Sequence, residues 1–135
     1  MDNKKGSNWN RWDLHIHSPM TNLNCKYNCD IEQFSKTIIE KGISVIGLTN
    51  YFIIHEEEYR EVVEKLGKEV LVIPNIEFRT NDRNADNDFI NIHVLFNPDT
   101  TSIKQINEWL SRIEVNNIAS STSVYCTKEN LQIIG

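Results

Sequence analysis

A chain of 135 residues with 39% apolar content can build one packed core but not two. A net charge of −5 and a pI near 5.3 exclude a surface that grips a long nucleic-acid backbone by counterion release. A nucleic-acid substrate would have to be held by a few arginines or through metal ions. No apolar run is long enough to cross a bilayer, and the opening MDNKKGSNWNRW lacks the apolar segment of a secretory signal. These features predict a cytoplasmic protein without a membrane partner. Cys25, Cys29 and Cys126 are too few for a disulfide framework, and the Cys25-x3-Cys29 spacing has no second pair to complete a zinc site. Reduced thiols are expected.

From Trp12 to His17 apolar Trp12, Leu14 and Ile16 alternate with polar Asp13, His15 and His17, the period of a strand. Asp30, with Gln33 three residues on, has the form of a helix start, and Gly42 that of a helix end, so a helix is expected over residues 30–41. The run Ile43 to Tyr51 is short, β-branched and apolar on both sides, as in a strand covered on both faces. A second helix is expected over residues 55–66, with Tyr59, Val62, Val63 and Leu66 on one face and Gly67 ending it. Val70 to Phe78 repeats the buried-strand pattern, with Pro74 marking an irregularity or an edge. Arg79 to Asp88, rich in Asn and Asp, predicts an exposed loop, and Phe89 to Phe96 a fourth strand. Asp99 or Thr100 can cap a third helix whose stripe is Ile103, Ile106, Trp109, Leu110 and Ile113. One more short strand is expected near Val124. The order β-α-β-α-β-β-α predicts an α/β fold with a mostly parallel sheet.

Strand residues two apart point the same way, so Asp13, His15 and His17 are expected on one face and Trp12, Leu14 and Ile16 on the other. Two imidazoles side by side suit Zn, Mn or Fe, and Asp13 can orient one ring by a hydrogen bond. In parallel α/β folds ligands gather at the carboxyl ends of strands, where His17, Asn50, Tyr51, Glu77 and His93 would meet. The competing reading is a polar strand face that carries histidines without function.

The blocks DLHIHS (Asp13 to Ser18), GISVIGLTNY (Gly42 to Tyr51), IPNIEF (Ile73 to Phe78) and NIHVLF (Asn91 to Phe96) resemble, in order, the first four motif blocks of PHP (polymerase and histidinol phosphatase) domains. The wording of the second and third blocks is most similar to PHP modules at the start of large ATPase-fused bacterial proteins, some linked to phage defence. The resemblance implies the first half of a distorted (β/α)7 barrel, with residues 1–11 as a tail and residues 12–135 as a partial PHP-like domain. It also implies two or three divalent ions (Mn, Zn or Fe) and hydrolysis of a phosphate ester, with a nucleotide or nucleic acid as a possible substrate class. By block matching, His15 and His17 would hold one ion, Glu77 would bridge two, and His93 would hold another. Arg79, two residues beyond Glu77, would hold a phosphate oxygen.

Two departures stand beside these matches. Where the family has Thr-Asp-His this chain has Thr49-Asn50-Tyr51, so an amide and a phenol replace a carboxylate and an imidazole. No histidine follows His93, so the later blocks of the family have no counterpart. The expectation is a metal-dependent phosphoesterase or nuclease part completed by a C-terminal remainder or an ATPase domain. The alternative is a degenerate, non-catalytic PHP scaffold. A flavodoxin-like binding domain is disfavoured, because no glycine-rich phosphate loop follows the first strand.

Overall fold

The computed structural model describes residues 10–21, 26–28, 30–117 and 124–134. Cys25 and Cys29 lie outside them. The elements run β1 (Arg11–His17), α1 (Ile31–Glu40), β2 (Ile43–Asn50), α2 (Glu56–Leu66), β3 (Leu71–Arg83), β4 (Phe89–Leu95), α3 (Ile103–Leu110), β5 (Val115–Asn117), β6 (Val124–Cys126) and α4 (Lys128–Ile134). β2 lies between β1 and β3 and is parallel to both. β6 also runs parallel to β3, while β4 is antiparallel to β3 and β5 to β6. The chain is thus mixed α/β, with a curled half-barrel sheet of mostly parallel strands.

Local chemistry sets the helix ends. The Asp30 carboxylate accepts the Gln33 N–H, and Gly42 and Gly67 close α1 and α2 in the left-handed region that costs glycine little. α3 starts later than expected, at Ser102 rather than Asp99 or Thr100. The Ser102 hydroxyl accepts the Gln105 N–H while the Gln105 side chain returns to the Ser102 N–H, satisfying two donors at once. Pro74 sits inside β3 at little cost. Its carbonyl accepts the Phe96 N–H just past the end of β4, and its nitrogen faces the same side, so the missing N–H forgoes only the last bond of the ladder with β4.

Strand parity separates two faces. Even-numbered Ile46, Leu48, Val72, Ile76 and Phe78 face the helices. There they bury against Phe34 and Ile38 of α1, Val62 and Leu66 of α2, and Ile103, Ile106 and Leu110 of α3. Each such side chain, removed from water, stabilises the fold by about 1.5–3 kcal/mol. Odd-numbered Thr49, Asn75, Glu77, Arg79, Asn91 and His93 share the opposite face.

Three expectations need correction. The polar run after Phe78 is not all loop, because β3 continues to Arg83 against β4 and only the residues up to Asp88 turn. Cross-strand pairing there overrides the low strand propensity of Asn and Asp. In α2, Glu58 rather than Val63 shares the buried face with Val62 and Leu66. The third correction concerns β1.

Asp13 pairs with Ile46 and Ile16 with Leu48, so three steps on β1 span two on β2 and the strand bulges at Leu14 and His15. The bulge shifts the phase of everything before it. Asp13 aligns with Ile46 on the helix-covered side, and His17 aligns with Thr49 on the open side. Trp12 is 63% exposed and Leu14 40%, so of the apolar trio only Ile16 packs on the core. Gly47 makes room for the bulge, since a Cβ there would lie 2.1 Å from the Leu14 carbonyl oxygen.

Candidate metal centre

Three side chains converge where the carboxyl ends of β1 and β2 lie beside the middle of β3. His15 Nε2 lies 3.2 Å and His17 Nε2 3.6 Å from Glu77 Oε2, and the donor atoms of all three lie within 4.8 Å of one another. This His/His/Glu group can hold a metal ion. Glu77 is 1% exposed, and a carboxylate that deep is tolerated only with partners. The Asn91 amide supplies one, donating to Oε1 at 2.6 Å.

Two of the imidazoles near this group, those of His17 and His93, are biased toward the neutral form. Burial lowers the pKa of His17, with His15, His93 and Lys26 adding to the effect while Glu77 opposes it. Burial, then His15, likewise lowers that of His93. A neutral ring offers an electron pair where a protonated ring repels a cation. Nε2 of His17 faces Glu77, while its Nδ1 is buried with no hydrogen-bond partner among the described residues.

His93 stands outside the three-residue group but beside it, its ring centroid 4.3 Å from that of His15. The amide of Asn75 meets its Nδ1 and also reaches the Leu14 carbonyl of the bulge and the Thr49 hydroxyl. Tyr51 stacks on His17 with centroids 5.3 Å apart, and the Arg79 guanidinium lies 5.8 Å from the Tyr51 ring. Arg79 is therefore near the group, on the same face of β3 as Glu77.

Asp13 and Asn50 do not join the cluster. The Asp13 carboxylate accepts the backbone N–H of His15, and its bulge-shifted phase turns it away from His17, so it orients main chain and not a ring. Asn50 faces the helices, where its Oδ1 accepts the Ser18 hydroxyl at 2.7 Å. Ser18 also meets Glu58 Oε2 at 3.1 Å, and the Met20 N–H donates to Glu58 Oε1 at 2.7 Å. Burial pushes the Glu58 carboxyl pKa up, against the opposing pull of these bonds. The chain immediately after His17 is thereby fastened to α2 by a buried carboxyl.

Sequence reasoning missed Asn75, Asn91 and Glu58. Asn75 precedes Glu77 by two and Asn91 precedes His93 by two, so the period-2 rule that paired the histidines also points to them. Glu58 lies four residues before Val62 and eight before Leu66, a buried-face position that its charge disguised.

No protein-family model matches this chain, and no curated protein matches it. No helix among the described residues is long and apolar enough to cross a membrane.

Proposed function

We propose that the chain is the metal-holding part of a phosphoesterase or nuclease of the PHP type. The observation that carries this reading is the meeting of two imidazoles from the end of β1 with one buried carboxylate of β3. Three protein donors leave an open position for water or substrate, as hydrolytic sites require. When bound, a divalent ion of the Mn, Zn or Fe kind supplies Lewis acidity and lowers the pKa of a coordinated water. His15 and His17 hold the ion through their ring nitrogens, and Glu77 balances its charge from a buried position with Asn91 fixing the other oxygen. Arg79, near the group, takes a phosphate oxygen by charge-assisted hydrogen bonds.

In this reading the substrate is a nucleotide or a short nucleic-acid end, since a net charge of −5 gives no extended grip on a backbone. The working protein is cytoplasmic, and further ligands for a second or third ion come from a C-terminal remainder or an associated ATPase domain. A scaffold reading is favoured by one observation. Tyr51 stacks on His17 where the resembled family carries an imidazole, which leaves the centre a donor short.

Metal analysis after purification without chelator, with hydrolysis of a model phosphodiester, tests the proposal. His17→Ala should abolish bound metal and hydrolysis together while leaving the circular dichroism spectrum unchanged. Unchanged metal content and hydrolysis in that variant would overturn the catalytic reading.

A further inference from the structure

Asn75 is fully buried, and its hydrogen bonds can be counted to completion. Its Nδ2 lies 2.8 Å from the Leu14 carbonyl, which can only accept. It also lies 2.9 Å from Thr49 Oγ1, whose own proton is directed to the Gly47 carbonyl at 3.1 Å. The two amide hydrogens are therefore used, and the amide cannot be flipped without setting oxygen against the Leu14 oxygen. The 3.1 Å approach of Nδ2 to His93 Nδ1 has no hydrogen left to make it a bond. What remains is the Asn75 carbonyl oxygen, buried and in need of a donor, with His93 Nδ1 at 3.3 Å.

We infer that Asn75 is a positioning residue that locks neutral His93 in the Nδ1–H tautomer, so that Nε2 presents an electron pair and no proton beside His15. The same amide holds the β1 bulge and β2, so one side chain fixes both the place of His15 and the usable nitrogen of His93. The tautomer assignment stands on hydrogen-bond geometry alone. Its use as a donor to an ion rests on the function proposed above.

Long-range proton–nitrogen correlation spectra of the ¹⁵N-labelled 135-residue chain, freed of metal by chelator, read the tautomer directly. Loss of one set of ring signals in His93→Gln assigns them. The wild-type chain should show His93 protonated at Nδ1 and bare at Nε2. Asn75→Leu, which removes the acceptor, should shift the ring toward Nε2–H. If ion-loaded protein forms, Asn75→Leu should also weaken zinc affinity by roughly 10- to 100-fold, the usual effect of removing a partner that orients a ligand. Wild-type His93 protonated at Nε2 would overturn the inference even if Asn75→Leu failed to fold. An unchanged tautomer in a folded Asn75→Leu chain would do the same. Correct tautomers without any zinc binding would instead sink the metal reading and leave this one standing.

Discussion

Gly47→Ala tests the link between backbone packing and the site. The added Cβ would fall 2.1 Å from Leu14 O, 2.7 Å from its carbonyl carbon and 2.9 Å from its Cα, all backbone atoms that no rotamer change can move aside. Relief requires the bulge of β1 to lift, which breaks the Asn75 bond to the Leu14 carbonyl. Overpacking of this kind costs about 1–3 kcal/mol and the lost hydrogen bond about 1 kcal/mol more, so about 2–4 kcal/mol is expected. For a domain of this size that lowers the melting temperature by on the order of 10 °C. Urea unfolding followed by circular dichroism gives the value from the midpoint at unchanged slope. Because His15 rides on the bulge, zinc or manganese affinity should fall in the same variant. Gly67→Ala is the control. Its φ of 61° strains an alanine by about 1–2 kcal/mol, but nothing lies within 4 Å, so ion binding should be untouched. A Gly47→Ala chain within about 0.5 kcal/mol of wild type would refute the account of the bulge.

Glu58 makes stability depend on pH. Its folded pKa is raised by burial, so the unfolded carboxyl ionises first as pH rises, and the group's contribution is full below the ordinary carboxylate range and lost as pH climbs through the raised folded value. Unfolding curves between acid and neutral pH should show that loss in wild type and a flatter profile in Glu58→Gln, and parallel profiles would contradict the assignment. Tyr59 donates to the Val72 carbonyl at 2.9 Å, and burial, with Asp99 adding to it, pushes its phenol up to about 12. Tyr59→Phe should cost about 0.5–1.5 kcal/mol and delete from an absorbance titration the tyrosine that ionises at about 12, which an unchanged titration would disprove. Tyr51→His puts an imidazole where the phenol now stacks on His17 and should raise zinc affinity in calorimetry, and no gain would argue that the site cannot reach a fourth donor.

By itself the sequence determined α1, α2 and α3 and the order of β1 to β4, because their signals are local, whereas β5 and α4 were not expected from it. Apolar periodicity marks α1, α2 and α3, glycines end the first two, and β-branched runs mark β2 and β3. It also picked out His15 and His17 by their two-residue spacing, and Glu77 as the acidic residue of an otherwise apolar strand, although β3 runs six residues beyond it. Pro74 was legible as an irregularity and not as an edge, since it pairs with Leu48 of β2 and its carbonyl accepts the Phe96 N–H.

Tertiary structure decided what depends on a neighbouring strand. The bulge that turns Asp13 from His17 and leaves Trp12 exposed arises where the Leu14 carbonyl enters space vacated by Gly47, a contact between strands that no single-strand pattern encodes. The extension of β3 past an irregularity at residues 80–82 is set by the pairing of Arg83 with Phe89 of β4, against local propensity. The burial of Glu58 likewise follows from partners supplied by Ser18 and Met20, some 40 residues away in sequence. The state of His93 is settled by where the two hydrogens of Asn75 go, and that depends on the Leu14 carbonyl of β1 and the Thr49 hydroxyl of β2, groups that only the folded sheet brings together.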